Sequence, residues 1–353
     1  MKDCNAKAEG FVLGLDLGDR RSHYALLDQR GEVVEEGSVR TDQKWIRSLF
    51  ANVPESRVVM EVGTHSRWVS RMSEEQGHET FVANARRLRW IFENDQKTDR
   101  VDAQSLGRVG RFDANLLYPI HHRSEAAQAD LAILRSREAV VKARTQLINH
   151  VRGQVKAWGE RLAKCAAKSF HKRVAGELPE ELKPALETVV EIIGQLTVQI
   201  RNYEEQIEER SRDYPEIGQL QAIAGVGPLT SAAFVWTLED PGRFRRSRQV
   251  GAYLGMVPRQ DQSGERNPRL GITKAGDEAL RRLLVQSAHY ILGAFGPDCD
   301  LRRFGERLLE GEADKGKKRA VVAVARKLSV LMHHLWETGQ QYDPFYQENR
   351  KAA

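Results

Sequence analysis

A chain of 353 residues is longer than one ordinary core can organise, so two or three folded units are expected. Its 55 Lys+Arg against 49 Asp+Glu leave a formal charge of +6, so where the charge sits matters more than the total. No stretch approaches the eighteen or so continuous apolar residues of a membrane span, and the three scattered cysteines, Cys4, Cys165 and Cys299, suit neither a disulfide framework nor a zinc cluster. A soluble protein of a reducing cytoplasm is expected.

In chain order, FVLGLDLGD (11–19), SHYALLD (22–28) and EVVEEGSV (32–39) read as strands, the last two joined by a tight turn at Gln29, Arg30 and Gly31. QKWIRSLFANV has helical spacing, RVVMEVG (57–63) reads as a buried strand, THSRWVSRMSEEQG as a helix ending at Gly77, and ETFVAN (79–84) as a further strand. Helical segments follow through about Phe112. Three strands and then alternating helix and strand describe an α/β layer domain over 1–123.

From Ser124 to about Leu162 a long charged helix carries Leu134, Val141, Ile148, Val155 and Leu162 every seven residues. A second helix sets Leu186, Val189, Ile193, Leu196, Ile200, Tyr203 and Ile207 at alternating steps of three and four, and Pro179 and Pro184 fall in the connection. An antiparallel coiled-coil hairpin over 124–213 is expected. Its seam can pack within the chain or join copies of it; the expectation adopted is a homo-oligomer, dimer or tetramer.

The remainder, 214–353, reads as mainly α. It opens with LQAIAGVGPLTSAAFV (220–235), where Gly225 and Gly227 mark a tight turn between short helices, a helix-hairpin-helix-like start whose backbone amides suit phosphate. The basic run RFRRSRQ follows, then the loop GMVPRQDQSGERNPRLGITKAG and a helix from about Asp277 to Leu292. Between Arg243 and Arg282 ten Lys/Arg face four Asp/Glu, which points to a polyanion. Arg243, Arg245, Arg246, Arg248, Arg259, Arg266, Arg269 and Lys274 are the candidate nucleic-acid contacts.

Four carboxylates carry the chemistry. Asp16 sits near the end of the first strand and Glu61 ends the strand VVMEV, while Asp99 and Asp102 lie three apart on one face of a later helix. Such a pair repels unless Lys97, Arg100 or a metal ion intervenes. Four hard oxygen donors suit Mg2+ or Mn2+, and two such ions can clamp the attacking and leaving oxygens of a phosphodiester. Asp19 and Asp28 read as turn residues, and the pairs His121/His122 and His333/His334 as surface or helix residues.

In the contexts GLDLG, MEVG and KTDRVDA these acids resemble the DEDD tetrad of a ribonuclease H-like, Holliday-junction-resolvase-like domain. Together with IAGVGPLTSA and YLGMVPRQDQSGERNPRLGITKAG, the chain resembles the IS110 insertion-sequence transposases along nearly its whole length. That resemblance implies a metal-dependent DNA recombinase in which a C-terminal serine becomes joined to DNA. It also implies sites shared between the acidic domain of one protomer and the serine domain of another, and a structured guide RNA that pairs with donor and target DNA. Where many members show two serines and two glycines, this chain has Gln262, Ser263, Gly264 and Glu265, so Ser263 is the one serine candidate, with Arg259, Arg266, Arg269 and Lys274 to offset the acid.

Two other readings use the same residues. LGLDLGDRRSHYALLD is similar to the first phosphate loop of sugar kinases of the actin-like fold, but the second phosphate loop and adenosine site such enzymes need are missing from the sequence. A metal-dependent resolvase or nuclease would keep the tetrad and use water, leaving Ser263 as a DNA contact.

Overall fold

The computed structural model describes residues 10–86, 98–264, 266, 268, 270–310 and 315–352. Cys4, Lys97, Glu265 and Arg269 lie outside the described residues. The chain divides into two compact units, Met1–His122 and Arg123–Ala353.

The first unit is built on a five-stranded mixed sheet in the order β3-β2-β1-β4-β5. Its strands are β1 (Phe11–Asp16), β2 (Arg21–Leu27), β3 (Val33–Arg40), β4 (Ser56–Glu61) and β5 (Glu79–Ala83). The first three form an antiparallel meander; β4 runs parallel to β1 and β5 parallel to β4. Helices α1 (Gln43–Asn52) and α2 (Ser66–Glu75) provide the crossovers. Residues alternate between the two faces, so Leu13, Leu15, Val58 and Met60 pack with Ile46, Phe50 and Val69 on one side. Val12, Ala25, Leu27 and Val59 pack with Ala103 and Leu106 of α3 (Asp99–Phe112) on the other.

Helix α3 lies unusually close to the sheet because glycine faces glycine. A Cβ on Gly14 would stand 2.0 Å from the Ala103 carbonyl oxygen and 2.6 Å from the Gly107 nitrogen; one on Gly110 would stand 2.3 Å from Val59 Cγ2. The helix is also held by charge. The buried Arg57 guanidinium donates to the Gly110 carbonyl at 3.0 Å, near the helix C-terminus where a cation is favoured, and to Glu79 Oε2 at 2.8 Å. At the other end Arg100 Nε and Gln104 Nε2 both donate to Glu36 Oε2 of β3, at 2.9 and 2.8 Å.

The second unit is helical. Helices α4 (Glu125–Ala157) and α6 (Lys183–Ser211) form the expected hairpin, with short α5 (Phe170–Val174) in the connection. Arg137 donates to Glu204, Arg144 to Thr197, and Arg210 approaches Asp130, a register in which one number rises as the other falls, so the pair is antiparallel. The buried seam runs through Leu186, Val190, Ile193, Ile200 and Ile207, with Val190 rather than Val189 fully buried. Leu186, Val190 and Ile193 pack with Ile148, Val151 and Val155, so this stretch of the seam is satisfied within the chain and self-association is not needed to bury it. Leu131 and Ile207 at the open end share a core with the helices downstream. Leu162 falls beyond the end of α4, not on the helix as expected.

Those helices are α7 (Pro215–Leu220), α8 (Pro228–Leu238), α9 (Arg248–Tyr253), α10 (Glu278–Ile291), α11 (Asp300–Leu309), α12 (Lys315–Thr338) and α13 (Tyr346–Ala352). Every residue from Thr230 to Leu238 in α8 is buried, the signature of a central helix. Cys165 and Cys299 are free. Among the described residues no helix is long and apolar enough to cross a membrane.

Two substitutions test this architecture. Gly14→Ala should cost about 1–3 kcal/mol or more, because backbone of α3 must move away, and calorimetry should show a lowered thermal midpoint. Ile193→Asp with Ile200→Asp places two carboxylates in a dry seam and should cost at least about 4 kcal/mol together, read as loss of helical circular dichroism at lower temperature.

Candidate functional site

The four predicted acids lie on the α3 side of the sheet, at the end where β1 and β4 finish. The β1–β4 ladder runs to Leu15–Met60, and the next residue along each parallel strand is Asp16 and Glu61, which therefore stand side by side. Asp99 and Asp102 occupy the first turn of α3, which Thr98 caps by accepting from the Val101 amide at 3.3 Å. Carboxylates there are favoured by the helix dipole, and the glycine contacts bring that turn down over the strand ends.

Asp102 is buried, Asp16 and Glu61 are half-buried, and Asp99 is exposed. Burial raises the Asp16 carboxyl to about 6, and the negative charges of Asp99, Asp102 and Glu61 push the same way, with His23 opposing them. Asp16 thus feels all three partners. A site that raises the proton affinity of a carboxylate by crowding it with others is one a cation can relieve.

A further residue enters here. His23 of β2 pairs across the antiparallel ladder with Asp16, and its Nδ1 lies 3.5 Å from Asp99 Oδ2. One ligand atom from each of Asp16, His23 and Asp99 lies within 4.8 Å of the others. The sequence signal for His23 was available in the hairpin itself: a turn centred between Asp19 and Arg20 sets 23 opposite 16. Arg100, one of the candidates to intervene between Asp99 and Asp102, is instead committed to Glu36. Asp28 accepts from the amides of Arg30 and Glu32 at 2.8 and 3.0 Å, as a turn residue should.

In the second unit, Ser263 stands at the tip of a hairpin that spans 255–276. The Lys274 amide donates to Gly255, Thr273 to Val257 and Arg259 to Gly271 at 2.9–3.0 Å, and Ser263 and Arg266 exchange bonds of 3.2 and 3.0 Å around Gly264 at φ +55°. The base is tight: a Cβ on Gly255 would stand 2.2 Å from the Ala275 nitrogen, and one on Gly276 2.1 Å from the Tyr253 carbonyl oxygen. Arg281 fastens it by donating to the Leu254 and Ala275 carbonyls at 3.1 and 2.8 Å. Ser263, Arg259, Arg266 and Lys274 are exposed, as are Arg245, Arg246 and Arg248. Arg243 is partly structural, donating to the Leu238 carbonyl at the end of α8 at 3.1 Å. His333 is a helix residue of α12, one of the two readings expected, and is fully buried there, with Nε2 3.0 Å from the Pro241 carbonyl oxygen.

Two family models match in the order of these two sites. One, described as a DEDD transposase of the IS110 type, covers residues 13–158; the other, Transposase IS116/IS110/IS902 family, covers 218–300. The chain belongs to the IS110 family of transposases. It is 28% identical over 339 residues to the transposase for insertion sequence element IS1111A of Coxiella burnetii, covering 94% of this chain and 91% of that one. A probable family 20 transposase of Pseudomonas aeruginosa is also 28% identical, over 94% of this chain and 98% of its own. The transposase for element IS1328 of Yersinia enterocolitica is 28% identical over 78% and 82%. An IS110-family transposase is a DNA-recombining enzyme, and its DEDD domain implies dependence on a divalent metal ion.

The direction of the Asp16 shift gives a testable sign. Its folded value lies above the unfolded value of 3.8, so the metal-free fold gains stability from this group as pH falls from about 6 towards 4 and carries an unfavourable charge above 6. Metal-free Asp16→Asn should therefore melt higher than the unsubstituted protein at pH 7.5, by at most about 2 kcal/mol after allowance for solvent, with the gap closing near pH 4. Added Mn2+ should narrow the gap at pH 7.5 by stabilising only the unsubstituted chain.

Proposed function

We propose that Asp16, Glu61, Asp99 and Asp102 hold divalent metal in a ribonuclease H-like domain, and that the transposase exchanges DNA strands through Ser263. The observation that carries the metal assignment is the convergence of Asp16, His23 and Asp99 donor atoms at a point where Asp102 and Glu61 add charge. The donor set fits: carboxylate oxygens suit Mg2+ and Mn2+, and a His23 nitrogen among them shifts preference towards Mn2+. A bound ion supplies Lewis-acid stabilisation of the phosphoryl oxygens and the leaving oxygen.

Ser263 is suited to attack by its exposure at the tip of a hairpin flanked by arginines, whose guanidinium forks match phosphate. In the step proposed, Oγ forms a bond to phosphorus as its proton passes to water. The bond from phosphorus to the leaving oxygen breaks, and that oxygen takes up a proton. The phosphoserine ester conserves the energy of the broken linkage, so a new hydroxyl end can rejoin the strand without ATP. Arg259, Arg266 and Lys274, with Arg245, Arg246 and Arg248, contact donor or target backbone; Arg269 belongs to the same assignment. The family resemblance supports a structured guide RNA as the reader of sequence and assembly of the chain as a dimer or tetramer.

Asp102→Asn should abolish strand cleavage, by at least about 1,000-fold, while nucleic-acid binding and thermal midpoint stay near those of the parent; chelation should do the same. Protein trapped on cleaved DNA should show a nucleotide adduct at Ser263 by mass spectrometry, absent in Ser263→Ala. No adduct, with Ser263→Ala still recombining, would hand the reading to a resolvase that uses water.

A further inference from the structure

The arginine run and serine hairpin are not the only basic features of the second unit. Residues 315–327, KGKKRAVVAVARK, hold six cations and no acid, and they form the first half of α12. Between that helix and the arms of the serine hairpin lies an open cleft of about 1200 Å3. Six cations line it: Arg248 of α9, Arg259 of the hairpin, and Lys318, Arg319, Arg326 and Lys327 of α12. Among the described residues, no carboxylate lines it.

Arg319 and Arg326, seven residues apart, share one face of α12, Lys318 and Lys327 flank it on either side, and the four line the cleft over roughly 14 Å of helix. Two are held by packing. A Cβ on Gly251 would stand 3.0 Å from Arg326 Cγ, so that stem lies flat on α9, and Lys327 Nζ sits 4.3 Å from the Phe304 ring centroid. Burial lowers the proton affinity of Lys327, with Arg307 acting in the same direction and Asp300 against it, and an anion in the cleft would favour its charged form. Between the cations the floor is apolar, made by Ile272, Phe304 and Val322 among others.

We propose that this cleft is a track for one unpaired DNA strand running to Ser263. A cleft lined by cations on three elements calls for a polyanion, and the apolar floor decides which form. A duplex keeps its bases inside and offers only backbone and groove edges, whereas an unpaired strand can lay base faces on apolar surface while its phosphates meet the cations. Proximity in the chain favours the strand to be exchanged over the guide RNA: Arg259 precedes Ser263 by four residues, a reach of at most roughly 14 Å. This inference rests on the Ser263 reading only for the identity of the strand; the binding itself needs no chemistry.

The test is equilibrium binding of a fluorescent oligothymidylate of about 15 nucleotides to the full chain, with a duplex and an oligouridylate of the same length beside it. Lys318→Gln/Arg326→Gln/Lys327→Gln should weaken oligothymidylate binding by about 30-fold or more near 0.1 M salt, and reduce the slope of log affinity against log salt by about 2, since each phosphate contact on a single strand contributes about 0.7. The charge-keeping Lys318→Arg/Arg326→Lys variant should bind as the parent does, and both variants should keep its thermal midpoint. Unchanged oligothymidylate affinity and slope in the triple variant would overturn the proposal, as would equal loss in the charge-keeping variant or a loss confined to oligouridylate. Ser263→Ala should bind the strand normally. Lost strand binding in the triple variant with no Ser263 adduct in the parent would sink the serine reading alone; an adduct with unchanged strand binding would sink the cleft alone.

Discussion

Everything at the acidic centre depends on how closely one helix can approach one sheet. Side chains ordinarily keep a helix and a sheet apart, and here the spacer is removed at Gly14 on the strand and at Gly107 and Gly110 on the helix. Backbone then meets backbone, and the first turn of α3 arrives over the ends of β1 and β4. A short carboxylate such as Asp102 can reach the strand ends from that height. The glycines are therefore as much a part of the site as the acids.

That approach would be unfavourable without anchors, because it gathers like charges. Arg57 near one end of α3 and Glu36 at the other fix the helix through bonds that do not touch the acids. The repulsion registered at Asp16 is thus held in place by contacts paid for elsewhere in the unit. For the divalent ion proposed here, the donor atoms of Asp16, His23 and Asp99 already lie within 4.8 Å of one another.

The sequence was highly legible where periodicity governed. Each strand of the first unit was read within a few residues, because alternating apolar residues and turn chemistry are local signals. The four acids were recognised through their contexts, and their convergence follows from strand ends and a helix face. His23 was missed because its role depends on cross-strand register, which a list of spacings does not contain. The seam of α6 was read as a heptad, yet which neighbour fills it is a tertiary fact, and much of it is filled from α4. The cations of α12 went unremarked because their meaning comes from the hairpin folded opposite them, some sixty residues earlier in the chain.

The serine hairpin has a consequence for how this enzyme can change. Its base is locked by Gly255, Gly276 and Arg281, its arms pair from Gly255 with Lys274 to Arg259 with Gly271, and Ser263 pairs again with Arg266. In such a ribbon successive side chains point to opposite faces. Lengthening both arms by one residue would turn Ser263 to the far side, whereas lengthening both by two would carry it outward by roughly 6–7 Å facing the same way. Length changes made within the paired stretch, 257–259 with 271–273, should therefore come in even steps per arm, a parity imposed by the pleat and independent of the nucleic acid being recognised.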